Sequence, residues 1–155
     1  IASIPQVRRL RVHTRLPVLI PQRVTPSLVA ALRSTRLTVV VVLHVNHAAE
    51  IDEQAAAAIA RLADAGIPLL SQSVLLRGVN DNVDALVQLF ERLADNRVMP
   101  YYLHQLDRVA GAAHFEVPEA VGAKLVQEAR QRLPGYAVPR YVRDIPGSPN
   151  KKPLI

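Results

Sequence analysis

Residues 37–75 read LTVVVVLHVNHAAEIDEQAAAAIARLADAGIPLLSQSVL. An apolar, largely β-branched run gives way to a segment in which alanines, Ile59 and Leu62 recur with helical spacing between charged residues, and Gly66 then precedes a second apolar run. The flanking runs have the length and composition of strands, and the middle that of an amphipathic helix stopped at Gly66. Strands this apolar are buried on both faces, so the two pair in parallel with the helix crossing between them.

The alternation extends in both directions. Strands are expected at 9–13 (RLRVH), 37–44, 67–75, 98–104 (VMPYYLH) and 136–144 (YAVPRYVRD), and helices at 25–35, 50–66, 81–95 and 118–133. Helix starts are expected at Thr25, Asp81 and Pro118, with Asn80 and Asp81 as capping residues and Gly78 in a tight turn. The order βαβαβαβαβ describes an α/β parallel sheet with helices packed on it, either open and doubly wound or part of a (β/α) barrel.

With 155 residues, 50% of them hydrophobic, the chain can bury one sizeable core. The run LTVVVVL is far shorter than the roughly 20 residues of a membrane span, and no signal-like segment is present, so the chain reads as soluble and cytoplasmic. It contains no cysteine, which excludes a disulfide framework and any thiolate-held metal or cluster built from these residues. The net charge of +6 raises nucleic-acid binding, with RRLRVHTR at 8–15 as the one candidate patch. The cations are spread along the chain and only 4% of residues are aromatic, which argues against that partner. A basic field suits an anionic ligand equally well.

Polar residues gather at the C-terminal ends of the expected strands: His13 and Arg15, then His44, Asn46 and His47, then Gln72 and Ser73, then His104 and Asp107, and finally Asp144. Parallel strands bring those ends to one face, which in α/β barrels carries the active site. His44 and His47, with Glu50 nearby, raise a metal site. On a strand, residues three apart face opposite sides, so the two rings converge only if the strand ends between them. Hydrogen-bonding and structural roles for the pair stay open. Gln72, an amide ending an apolar strand, suits a polar ligand. Asp107 and Asp144 suit a substrate ammonium, a general acid and base pair, or simple pairing with the adjacent Arg108 and Arg143.

The stretches RLRVHTRLPVLIPQRVT, HVNHAAE, QSVLLRGVNDN, MPYYLHQLD, GAAHF, GYAVPRYVRDIPG and NKKPL resemble the lysine 2,3-aminomutase family of radical S-adenosylmethionine enzymes, in order and over essentially the whole chain. The resemblance is strongest to its bacterial branch, which makes (R)-β-lysine from L-lysine for modification of elongation factor P. It implies the radical S-adenosylmethionine fold, a partial TIM-like barrel. It also implies that Lys151, seven residues after Asp144, is the catalytic residue that carries pyridoxal phosphate. Lys152 stands where the family more often has a small or hydroxyl residue. Asp107 and Asp144 match the acids that hold the distal ammonium of lysine, and His44 and Gln72 match contacts to S-adenosylmethionine. His104 departs from the tyrosine of the catabolic lysine enzymes.

The family holds a four-iron four-sulfur (4Fe-4S) cluster on a CxxxCxxC loop, for which this chain has no residues. The expectation is therefore that residues 1–143 are the C-terminal part of the barrel and residues 144–155 the cofactor-lysine tail. The cluster-binding part would lie upstream, no metal ligand in this chain, and the segment alone would be inactive. In the reaction the resemblance implies, the cluster cleaves S-adenosylmethionine, the resulting radical takes a hydrogen from the β-carbon of L-lysine, and the amino group migrates with the help of pyridoxal phosphate. The expected partners are L-lysine and, functionally, elongation factor P, with room for a homo-oligomer and none for a membrane or nucleic acid. Two alternatives from other classes are a metal-dependent hydrolase barrel using His44, His47 and an aspartate, and a catalytically dead barrel scaffold.

Overall fold

The computed structural model describes residues 1–155. The five expected strands form as β1 (Arg9–Thr14), β2 (Thr38–His44), β3 (Leu69–Val74), β4 (Met99–His104) and β5 (Arg140–Arg143). A sixth, β6 (Lys152–Pro153), comes from the proline-flanked tail. The sheet order is β1-β2-β3-β4-β5-β6, parallel throughout except for β6, which runs antiparallel to β5. The helices are α1 (Leu16–Leu19), α2 (Pro26–Arg33), α3 (Glu53–Asp64), α4 (Val83–Asp95) and α5 (Glu119–Arg132).

Each long helix begins where a local acceptor or a proline permits it. Thr25 accepts the Leu28 N–H at the start of α2, and Pro118 precedes α5. Helix α3 starts three residues later than expected from the sequence, because Ala48–Glu50 form a 3-10 turn and Asp52 is the capping acceptor for the Ala55 N–H. Gly66, at φ 74°, ends that helix in the left-handed conformation a side chain would strain. The expected capping roles of Asn80 and Asp81 are not what the structure shows. Asn82 caps α4 through the Ala85 N–H, while Asn80 is buried and ties three backbone groups together.

All long helices lie on one side of the sheet. Alternate strand residues Val39, Val41, Leu43, Leu69, Leu103 and Tyr141 enter a core of 25 buried residues with Ile59, Leu62, Leu86, Phe90, Leu93 and Val126 from the helices. The intervening residues face the other, helix-free side, because successive strand side chains point to opposite faces. There lie Arg11, His13, Val42, His44, Gln72, Tyr102, His104 and Val142. The register jumps in β4: Ser71 faces Pro100 but Gln72 faces Tyr102, leaving Tyr101 as an extra residue. Such a bulge turns neighbouring side chains toward one side, and the rings of Tyr101 and Tyr102 lie 3.9 Å apart.

The fit between β5 and α5 is tight. Tyr141 is fully buried, its hydroxyl donates to Gln105 Oε1, and Gln105 Nε2 donates to the Val117 carbonyl at 2.8 Å. Burial pushes the Tyr141 hydroxyl up to about 12, so it stays a donor. A Cβ on Gly122 of α5 would sit 2.2 Å from that hydroxyl oxygen and 2.7 Å from Leu75 Cδ2. Gly122→Ala should therefore destabilise the fold by about 1–3 kcal/mol in urea denaturation, because Tyr141 must move and its hydrogen bond breaks. Gly135→Ala, where a Cβ meets nothing within 4 Å, should change stability by no more than about 0.5 kcal/mol. Equal effects from the two would refute this account of the β5–α5 contact.

Candidate functional site

The C-terminal ends of β2 to β5 and the loops beyond them enclose a cavity of about 360 Å³, lined by Arg15, His44, Asn46, Gln72, His104, Asp107 and Asp144 among others. A larger, adjoining cleft of about 870 Å³ shares Asp107 and Asp144 and extends to Arg143 and Lys152. The two acids thus sit where the spaces meet. Of the polar residues found at strand ends in the sequence, His44, Gln72, His104, Asp107 and Asp144 come together here.

Others are taken up by the frame. Glu50 accepts the Asn46 and His47 N–H groups at 2.7 and 2.9 Å and pairs with Arg15, while His47 Nδ1 accepts the Ala49 N–H. His47 is therefore a turn-capping residue, and the β2 strand ends between it and His44. Asn46 Oδ1 accepts the Val74 N–H, Ser73 Oγ donates to the Val45 carbonyl, and Asn80 Nδ2 donates to the Asn46 and Val74 carbonyls. This buried lattice fixes the loops after β2 and β3. No group of three or more His, Cys, Asp or Glu side chains converges on one point, so the hydrolase alternative finds no ligand set.

The tail brings Lys151 into the site. Its ammonium donates to both oxygens of Asp144, at 2.7 and 2.6 Å, and lies 5.7 Å from the centre of the Tyr102 ring. Lys152, in β6, is exposed and lies along the outer cleft. Pairing of Leu154 N–H with the Tyr141 carbonyl at 2.9 Å, and packing of Leu154 and Ile155 on the core, hold the tail down. The neighbouring arginines do not neutralise the acids: Arg143 pairs with Glu119 at 2.6 Å, and Arg108 approaches Glu116 at 4.0 Å.

Across the sheet runs a line of polar groups that spacing alone does not reveal. Gln72 Nε2 lies 2.7 Å from His104 Nε2, and His104 Nδ1 lies 3.6 Å from Asp144 Oδ2. On β1, His13 stacks edge-on against His44 with ring centres 5.9 Å apart. Burial, Arg11 and Lys151 push His13 below its ordinary value, and the nearby Gln72 amide partly offsets them. His13 is among the strand-end residues expected on this face, whereas Tyr102 and Gln105 carry no such signal in their sequence context. For Tyr102 the one available signal is the double tyrosine, which fits a bulge.

The mostly parallel sheet, with its helices on one face, has the partial TIM-barrel fold of solved radical SAM enzymes. Among solved structures, a radical SAM methyltransferase from Sphaerobacter thermophilus superposes with TM-score 0.60 at 21% identity, over 89% of this chain and 42% of that one. Streptococcus suis SuiB bound to S-adenosylmethionine gives 0.57 at 11% identity, over 87% and 32%. At such identities the likeness is one of fold. No family model matches the chain. Sequence relatives are far nearer: L-lysine 2,3-aminomutase of Escherichia coli K12 is 47% identical over 98% of this chain and 44% of its own length. That of Clostridium subterminale is 43% identical over 99% of this chain and 36% of its own. By sequence the chain belongs to the lysine 2,3-aminomutase family, and it spans less than half the length of these curated relatives.

Cofactor chemistry can be weighed against the side chains present. His44 Nε2 is buried without a hydrogen-bond partner, and a polar ligand there would satisfy it. With Gln72 it fits a polar molecule such as S-adenosylmethionine. Lys151, with the Tyr102 ring beside it and Arg11 and Arg140 near that ring, fits an aldehyde cofactor bearing an anionic phosphate. An iron-sulfur cluster does not fit these residues, which include no thiolate. No helix is long and apolar enough to cross a membrane.

Three imidazoles at this site, His13, His44 and His104, titrate below the ordinary 6.5, burial being the largest cause for each. Unfolded histidines keep the ordinary value, so just below pH 6.5 the unfolded chain binds more protons than the folded one. The stability these rings contribute is present above that pH and is lost as pH falls through their lowered folded values. The urea midpoint should thus drop as pH falls below 6.5, and His104→Gln should flatten that drop. A midpoint that rises on mild acidification would contradict the neutral-ring description.

Proposed function

We propose that the chain is the C-terminal part of an L-lysine 2,3-aminomutase, which moves the amino group of L-lysine from the α- to the β-carbon in a radical reaction. In this reading residues 1–143 close the barrel, residues 144–155 form the cofactor-lysine tail, and the cluster ligands belong to an upstream part of the protein. The observation that carries it is the Asp144–Lys151 pair. Both carboxylate oxygens receive one primary alkylammonium at hydrogen-bond distance, and the distal end of free lysine is the same chemical group. Lys151 stands in for the substrate in the place that substrate would take.

Asp107 lines the same cavity and makes no ion pair of its own, which leaves it as the second carboxylate for that ammonium. Pyridoxal phosphate, when bound, supplies an aldehyde that holds the migrating amino group, and S-adenosylmethionine supplies the radical source. The residues of this chain bind and orient. Lys151 would hold the resting aldehyde cofactor before the substrate amine replaces it there, and in that resting state its nitrogen would offer Asp144 no ammonium, leaving the carboxylate open to an arriving substrate. One acid thus serves two cations in turn. His44 and Gln72 contact S-adenosylmethionine.

The branch acting for elongation factor P is favoured because His104 occupies the position where the catabolic enzymes carry tyrosine. In this reading (R)-β-lysine is the product, elongation factor P a functional partner and the cytoplasm the location.

In the full-length protein with its cofactors, Asp107→Asn and Asp144→Asn should each weaken lysine binding about ten- to a hundredfold, the worth of one charge-assisted hydrogen bond, with cofactor content intact. Lysine affinity unchanged in both variants would return the acids to a structural role. Borohydride reduction of the same protein, followed by peptide mapping, should find the pyridoxyl group on Lys151. An adduct on Lys152, or on neither lysine, would remove the tail from the cofactor site.

A further inference from the structure

Asp144 is an acceptor only, and that fact propagates through its neighbours. The group facing its Oδ2 is His104 Nδ1, at 3.6 Å, too long for a hydrogen bond but close enough that the carboxylate's charge favours a proton on that nitrogen over Nε2. A neutral imidazole carries one proton, so placing it on Nδ1 leaves Nε2 bare. That bare nitrogen stands 2.7 Å from Gln72 Nε2, an amide nitrogen that can only donate. The amide nitrogen of Gln72 is then committed to His104, and its carbonyl oxygen is left for another partner at the cavity that Gln72 lines. Lys151, Asp107 and His44 also act on His104: the acids favour its charged form, while burial, Lys151 and His44 oppose it and prevail.

We propose that His104 is a positioning residue that locks Gln72 in a single amide orientation, carbonyl outward, so that the ligand group meeting Gln72 must be a hydrogen-bond donor, an ammonium or a hydroxyl. The inference rests on the reading of Gln72 as an S-adenosylmethionine contact only for the identity of that ligand, which carries both kinds of donor. The orientation itself follows from the Asp144–His104–Gln72 geometry. A side chain without a bare ring nitrogen at this place would leave the amide free to turn over and present donor and acceptor alternately.

Long-range proton–nitrogen spectra of the protein labelled with ¹⁵N-histidine read the proton position directly. At neutral pH His104 should show a protonated Nδ1 and an unprotonated Nε2; Asp144→Ala should weaken that preference, and Gln72→Met should leave it in place. Gln72→Glu should instead drive His104 to its charged form, because a carboxylate would then face Nε2. A wild-type His104 protonated on Nε2, or on both nitrogens, would overturn the proposal, as would a tautomer indifferent to Asp144→Ala. In the full-length protein, equilibrium dialysis with S-adenosylmethionine should show binding at least several-fold weaker for His104→Phe and largely restored for His104→Gln, whose carbonyl can accept from Gln72. Equal loss in both variants would also overturn it. Absence of S-adenosylmethionine binding in the wild type, with the expected tautomer in place, would count against the ligand reading while upholding the positioning role.

Discussion

Helices cover the sheet on one face only, and strand geometry converts that asymmetry into a division of labour along every strand. Successive side chains point to opposite faces, so each strand alternates between a dry side packed by α2 to α5 and an open side lined with polar groups. In β2 this separates Val39, Val41 and Leu43 from Val40, Val42 and His44; in β3 it separates Leu69, Ser71 and Ser73 from Leu70, Gln72 and Val74. A slip of one residue in any pairing would carry the polar set into the core. The bulge at Tyr101 has the opposite use, since it restores the phase in β4 so that Tyr102 faces Gln72 and His104 faces Val74.

Rigidity at the strand ends comes from buried hydrogen bonds rather than from apolar packing. The backbone ladder continues past the strands, with Val45 N–H on the Gln72 carbonyl, Leu75 N–H on the His104 carbonyl and Gln105 N–H on the Val142 carbonyl. Asn46, Ser73, Asn80 and Glu50 then satisfy the remaining loop groups. Removing any one partner strands a buried polar group at a cost of about 1–3 kcal/mol. These are the same residue types that a ligand site would use, and they stand beside it. Their task is to keep His44, Gln72 and His104 in place.

The sequence made the strand and helix order legible because long apolar runs and helical repeats are periodic signals that tolerate few alternatives. Boundaries and caps were less so. Three polar residues in a row, Asn80, Asp81 and Asn82, are equally good caps by type, and only the depth of Asn80 in the core decides that Asn82 serves. The two-residue β6 carries no pattern at all and exists because Pro153 and Lys152 happen to lie against Val142 and Arg143. His47 resembled a ligand by residue type, yet its Nδ1 is spent on a turn. The line from His13 through Gln72 and His104 to Asp144 joins four strands, and side-chain contacts across a curled sheet leave no trace in linear spacing.

The acids show why spacing misleads about charge as well. Asp144 follows Arg143 directly, and adjacency on paper suggests that the two cancel. On an extended chain neighbours point to opposite faces. Tyr141 and Arg143 go to the helix side, where Arg143 meets Glu119 of α5, and Val142 and Asp144 go to the open side. Arg108 likewise turns to Glu116. A protein with a net charge of +6 thereby keeps two carboxylates that no arginine neutralises, at the edge of its cavity. The cation that reaches one of them, Lys151, comes from the tail on the open side of the sheet, not from a neighbour in sequence.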